Sequence, residues 1–341
     1  MTSTCSIAHR DVNGWDALVL ESDRLRVTVL PEKGADIYEL VDVASGVDVL
    51  FKAPWGLRPP GSPPRAEADG LEFIGNYEGG WQELLPNAND ACAYDGVELP
   101  FHGEVALLPW ETEVLDERED AVGVRLSVRC RRLPFRLDRV MRLERGSADL
   151  VVEGTVTNEG ASRLPFVWGQ HLVVGPPFLE PGCRLELPAK SIVTADQVWE
   201  KTARLEPGQR SQWPYGLLRR GGTVDLREVP GPEAGSHDDL FVGDFSEGRA
   251  TVTNSRLGLA FRLRWDEKVF PWVVLWQPYG GAIDPSLAGS YALAVEPWTS
   301  RHCLARAVDA GQATWLDAGE SLSTTLVASV EPMFIEPSAD V

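Results

Sequence analysis

Apolar residues recur at every second position over much of the chain. In LRVTVL (25–30), Leu25, Val27 and Val29 fall on one side and Arg26 and Thr28 on the other, the period of a strand with one buried face. VGVRLSVRC (122–130) repeats the pattern with Val122, Val124, Leu126, Val128 and Cys130 inward, and LGLAFRLRW (257–265) does so with Leu257, Leu259, Phe261, Leu263 and Trp265. DLVVEGTVTNEG (149–160) reads as a strand running into an Asn-Glu-Gly turn. FPWVVLWQP (270–278) is apolar without alternation, which predicts a strand covered on both faces. No window carries a sustained helical period. The pattern predicts an all-β fold, a large sandwich of antiparallel sheets, and one domain over residues 1–341, because no internal repeat or compositional break divides the chain. Segments 52–70 (KAPWGLRPPGSPPRAEADG) and 175–190 (GPPFLEPGCRLELPAK) read as long loops, which in compact domains are commonly functional.

Composition narrows the function classes. Fifty-one Asp and Glu face 32 Lys and Arg, a formal net charge of −19, and such a surface repels phosphate backbones and anionic lipid. Nucleic acid and membrane are therefore excluded as expected partners. Five widely spaced cysteines with no CxxC pair argue against a disulfide framework or a zinc knuckle and fit a reducing compartment. The amino-terminal MTSTCSIAHRDV has no apolar core of a signal peptide, and no apolar run reaches the ~18 residues of a bilayer span. These features predict a cytoplasmic location.

Only five histidines are present, so the setting of each matters. His102 lies in GVELPFHGEV (96–105) and His171 in FVWGQHLVVGPPF (166–178), where a strand runs into a loop. An imidazole there can take or give a proton near neutral pH. Glu296 ends the apolar run YALAV and precedes Pro297 and Trp298; a carboxylate so placed is desolvated, which raises its basicity. FHGE shares part of the metal-binding pattern of cupins, but the chain has neither HxH nor HExxH, so no metal is predicted.

The ordered set LPEKGADIYEL, GGWQELLPN, FHGEV, WGQHLVVGPPF, HDDLF and VEPWTS resembles the galactose mutarotase (aldose 1-epimerase) superfamily, in its uncharacterised bacterial aldose 1-epimerase-like branch. The resemblance spans nearly the whole chain and lies in the order and spacing of the motifs. It implies a large β-sandwich, a supersandwich, with a sugar cleft on a concave sheet face, and an isomerase that interconverts the anomers of a free aldose. Carried across residue by residue, it makes His171 the general acid, Glu296 the general base and His102 a group that holds the sugar ring. It makes Asp238, or its neighbour Asp239, the carboxylate that grips sugar hydroxyls. The chemistry is self-sufficient: one group removes the C1 hydroxyl proton while another protonates the ring oxygen, so no cofactor is called for. The expected partner is a small-molecule sugar, and the oligomeric state is left open.

Sugar faces also need flat apolar surface with polar groups between, and Trp81, Trp168 and Trp298 lie beside the motif residues. The chain departs from the family pattern in two places. The first motif lacks the sugar-binding Arg, leaving Gln82 and Asn87 as its nearest polar substitutes, and HGG is replaced by HGE, which adds Glu104. The polar residues near the motifs (Gln82, Glu83, Asn87, Glu104, Gln170, Asp238, Gln277) are neutral or acidic, which suits a neutral, unphosphorylated aldose. The expected substrate-binding set is therefore His102, Gln82, Asn87, Glu104, Asp238, Trp168, Gln277 and Trp298. Two rival readings remain at the level of sequence: a carbohydrate-binding protein without turnover, because fold does not fix function, and a glycoside hydrolase or lyase using Glu104 and Glu296 as its pair of carboxylates.

Overall fold

A computed structural model of the chain describes residues 4–65 and 72–333. Residues 66–70 of the first predicted loop lie outside the described residues. The alternating segments form strands as expected: Leu25–Leu30, Ala121–Arg129, Asp149–Asn158 and Leu259–Arg264. The strands assemble into a 13-stranded and an 8-stranded antiparallel sheet, whose apolar faces meet in one continuous core. Close contact between the sheets is visible at Gly154, where a Cβ would meet the Trp168 ring at 2.6 Å.

Two expectations need refining. Thr28 is fully buried rather than solvent-facing, because the chain from Leu57 folds back over that side of the sheet and builds a small second cluster with Ala17 and Leu30. The 175–190 segment is also not wholly a loop. Arg184–Glu186 pairs with Arg249–Asn254 at the edge of the smaller sheet.

The centre of the larger sheet positions the candidate site. Five strands matter: β1 (Trp81–Leu84), β2 (Gly169–Val174), β3 (Ser236–Gly243), β4 (Trp272–Tyr279) and β5 (Glu296–Trp298). They lie side by side in the order β1-β2-β5-β4-β3. The β4 segment is buried along nearly its whole length, as its unbroken apolar run predicts.

Successive side chains of a strand point to opposite faces, and β2 shows the consequence. On the inner side Gln170 accepts from Trp81 Nε1 at 2.7 Å and donates to Glu83 Oε2 at 2.6 Å. Trp168 Nε1 donates to the same Glu83 oxygen at 2.8 Å, and Arg139 from the facing sheet stands 3.9 Å from the other. Arg139 occupies an inward position of a strictly alternating strand, Phe135–Glu144. Fully enclosed, it also donates to Ala35 O. Burial raises the pKa of Glu83, against the pull of Arg139 and the two donors. This polar knot ties the two sheets together behind β2, and His171 projects from the other face.

Candidate active site

On the face turned away from the smaller sheet, a cavity of about 490 Å³ is lined by His102, His171, Asp239 and Glu296 together with a set of aromatic rings. His171 and Glu296 come from strands β2 and β5, adjacent in the sheet. His171 Nε2 stands 3.6 Å from Glu296 Oε1, and both side chains are buried. Trp298 Nε1 donates to Glu296 Oε2 at 3.2 Å. The Trp298 ring lies on Gly169, where any Cβ would meet it at 2.8 Å; glycine at 169 is what leaves room for the ring.

Burial governs the protonation of this pair. It lowers the His171 pKa to about 3 and, reinforced by the charge of Asp239, raises that of Glu296 well above its ordinary range, against the Trp298 hydrogen bond. The imidazole is therefore neutral at moderate pH, and the carboxyl holds its proton to higher pH than an exposed one would. His171 Nδ1 is buried without a hydrogen-bond partner among the described residues.

His102 comes from a loop rather than a strand. Its backbone is left-handed, φ 61°, and is followed by Gly103 at φ 73°, a pair of conformations that non-glycine residues seldom adopt. The turn is fixed by His102 N donating to Asn89 O at 3.0 Å and by Gly103 N donating to Pro100 O at 3.0 Å. A side chain at 103 would collide with Leu85 O at 2.5 Å. The ring nitrogen Nδ1 is 3.3 Å from Asn89 O, so with Nδ1 donating there Nε2 remains an acceptor. Burial, and then the neighbouring His171, hold the His102 pKa well below its ordinary value. The ring packs between Phe101 and Phe73 and edge-on to Trp298.

Asp239, not Asp238, faces the cleft. Asp239 pairs with Trp276 across the β3–β4 ladder, and both line the cavity. One third of its side chain opens onto the cleft (33%), yet burial, with Asp238 and Glu200 adding to it, pushes its pKa up to about 7. Asp238 points the other way. Its carboxylate accepts from Arg204 N and Nε at 2.6 Å each and from Leu205 N at 3.1 Å, so its work is to hold the 204–205 backbone.

Five further expected ligands are corrected on the same physical ground: none lines the cavity, because each is used to hold backbone or core. Gln82 shares the face of His171, but its amide turns back to donate to Gly79 O at 2.7 Å. Asn87 donates to Asp90 O and Pro100 O at 2.9 Å each and accepts from Leu304 N at 2.7 Å. It thereby staples the His102 loop to the short helix α1 (Leu304–Asp309). Glu104 accepts from Arg131 N and Arg132 N at 3.1 and 3.0 Å, which removes it as a partner for Glu296 in a hydrolytic pair. Trp168 is sealed in the inner knot, as is Trp81, and Gln277 donates to Leu226 O at 3.4 Å. Of the expected set, His102, His171, Glu296 and Trp298 line the cavity.

The motif reading missed much of the wall. Tyr77, Phe73, Trp276 and Trp199 supply aromatic surface, Trp199 remaining 48% exposed at the mouth. Tyr77 packs edge-on against His171 at 5.0 Å between centroids. Trp276 was identifiable from parity alone, since it alternates with Val274 and Trp272 on β4. Arg301, His302 and Arg306 also line the cavity, just beyond the VEPWTS motif, and nothing in the motif itself signals them.

A family described as "Domain of unknown function (DUF4432)" matches residues 12–330. The chain belongs to that family. Its fold is that of the galactose mutarotase-like proteins. It is similar to the structure of the Slr1438 protein from Synechocystis sp. PCC 6803, with 21% identity, TM-score 0.68, and 95% of this chain and 99% of that one covered. A galactose mutarotase-like protein from Clostridium acetobutylicum matches with 16% identity and TM-score 0.66 over 97% of this chain and 99% of that one. Another, from Lactobacillus casei, matches with 16% identity and TM-score 0.60 over 92% and 100%. At such identity the likeness establishes the fold. Among the described residues no helix is long and apolar enough to cross a membrane.

Proposed function

We propose that this protein is an aldose 1-epimerase-like isomerase, with His171 and Glu296 as its proton-transfer pair. The observation that carries the reading is their 3.6 Å separation inside a cavity walled by aromatic rings. Opening a pyranose moves protons at two oxygens bonded to the same carbon, so an acid and a base side by side suit it. The pair holds one proton between its members. In opening, one group gives that proton to the ring oxygen as the C1–O bond breaks, and the other takes the C1 hydroxyl proton as the aldehyde forms. After rotation about the C1–C2 bond, the reverse transfers close the ring from the other face.

Burial favours the protonated form of Glu296 and the neutral form of His171, which suits Glu296 to act as the acid in the first half-reaction. Hydrogen bonds from sugar hydroxyls to Glu296 would favour its carboxylate and pass the proton toward His171, giving the role assignment that the family resemblance implies. Closure reverses the roles in either case. His102 Nε2 accepts a sugar hydroxyl, and Asp239 takes another from the opposite wall. Trp276, Trp298 and Tyr77 supply the apolar surface. Two of the solved structures that share the fold carry the name galactose mutarotase-like, which supports the same reading.

The test is anomer exchange followed by NMR with a panel of aldoses at catalytic enzyme concentration. Exchange above the buffer rate, lost in Glu296→Gln, supports the reading. Binding without exchange for every sugar would return the protein to the carbohydrate-binding class.

A further inference from the structure

The expectation of a neutral substrate rested on seven motif residues, and none of them lines the cavity. What the cavity does contain is a basic wall: Arg301, His302 and Arg306. Cations collected inside a cleft are at odds with a chain of net charge −19, because the background field would otherwise disfavour any anion that approached.

Two members of the wall are half-buried and held in place, Arg301 and His302, while Arg306 is exposed on the short helix. Arg301 is held at its backbone, where its carbonyl accepts from Asn89 Nδ2 at 2.9 Å. Its guanidinium lies over the Trp272 ring, 5.7 Å from the centroid, within cation–π reach. His302 N donates to Ser300 Oγ at 3.2 Å. The two arginines lie close enough to His302 to lower its pKa, after burial, with Asp196 opposing them. Asp90 and Asp196 share the cavity lining, yet among the described residues neither forms an ion pair with Arg301 or Arg306. Most arginines here that could pair do so, including Arg58, Arg204, Arg227 and Arg256.

Register places the wall relative to the chemistry. Across the β4–β5 ladder, Val274 faces Glu296 and Trp272 faces Trp298. Trp272 and Val274 are two residues apart on one face, about 7 Å along the strand. Arg301 sits over Trp272, so its guanidinium stands about one such step beyond Glu296 along the sheet. An aldose with C1 at Glu296 and His171 and its far end turned along the sheet toward Trp272 would bring that end to Arg301. The catalytic end, where Asp239, His171 and Glu296 stand, offers no arginine or lysine to an anionic group.

We propose that the substrate is an aldose bearing an anionic group remote from C1, and that Arg301 and Arg306, with His302, bind that group. Charge-assisted donors at a fixed distance from the acid–base pair set both register and specificity. The inference rests on the epimerase reading for its turnover readout; its binding readout is independent of that reading.

The experiment measures anomer exchange by NMR and affinity by calorimetry for glucose, glucose 6-phosphate, 6-deoxy-6-sulfoglucose and glucuronate, which separates phosphate, sulfonate and carboxylate as the anion. The expected result is that one charged sugar exceeds glucose in kcat/KM, with its advantage shrinking as salt rises. Arg301→Gln and Arg306→Gln should each cut the charged-to-neutral ratio by about tenfold to a hundredfold. Arg256→Gln, which removes the same charge from an exposed site paired with Glu180, should leave that ratio unchanged. Glucose exchanged as well as every charged sugar overturns this inference and leaves the epimerase reading standing. Charged-sugar binding that is lost in Arg301→Gln, with exchange of none, supports the anion site and overturns the epimerase reading. Neither binding nor exchange of any sugar overturns both.

Discussion

Trp298 Nε1 donates to Glu296 Oε2, so one carboxylate oxygen is committed to the protein and the other, Oε1, faces His171. Proton transfer by the pair then depends on both members. Glu296→Gln and His171→Asn should each lower kcat by about 10²–10⁴-fold, the usual contribution of a general acid or base, with sugar affinity largely kept. NMR anomer exchange on an accepted sugar is the check. Wild-type exchange in either variant removes that residue from the mechanism.

The same carboxyl is tuned from two sides in opposite directions. The Trp298 hydrogen bond lowers the Glu296 pKa and the charge of Asp239 raises it. Trp298→Phe should move the Glu296 limb of the pH–rate profile to higher pH, and Asp239→Asn should move it to lower pH. Shifts of the same sign in both variants would contradict this account.

Asp239 also links stability to pH. Its pKa in the fold is raised to about 7 from the ordinary 3.8, so its contribution to stability is fully present below about pH 4 and lost as pH rises through 7. His171 and His237 act the other way. Their folded values of about 3 and about 4 destabilise the fold as pH falls below 6.5. Asp239→Asn should therefore raise Tm relative to wild type at pH 8 but not at pH 4. Equal effects at the two pH values would show that Asp239 is not perturbed.

His102 should behave differently from the reacting pair, because a group that orients the ring affects binding and alignment together. His102→Ala should raise KM and lower kcat. The left-handed turn is fixed by backbone hydrogen bonds and by Gly103, so the loop itself should survive. Unchanged kcat and KM would make the residue structural.

Glu83→Ala should cost about 3–5 kcal/mol of stability, the usual effect of removing one partner from a buried ion pair. It strands Arg139 and removes the acceptor of Trp168 and Gln170. Glu83→Gln keeps an acceptor and should cost less. Urea midpoints of the two variants give the comparison, and a larger loss in Gln than in Ala would refute the role assigned to the knot.

Alternation made the fold legible in the sequence, because a half-buried strand has to repeat every two residues. It also held the means to separate Asp239 from Asp238, and Trp168 from His171, once strand parity is applied. Gln82, Asn87, Glu104 and Gln277 misled for another reason. Polar residues in a tightly folded motif are needed by the backbone they sit in, since buried donors and acceptors must be paired. Arg301, Arg306 and Trp199 could not be found by pattern: they come from the short helix and irregular segments around the cavity, which carry no period to read.

The inner knot behind β2 has a consequence for how this protein can change. Because neighbouring residues of β2 face different compartments, one surface of the strand can be rewritten while the other keeps its mechanical duty. Residues on the cleft side can drift toward a new ligand with the sheet's attachment intact. A change at Gln170, which never meets the cleft, would instead alter the chemistry by displacing the strand that carries His171.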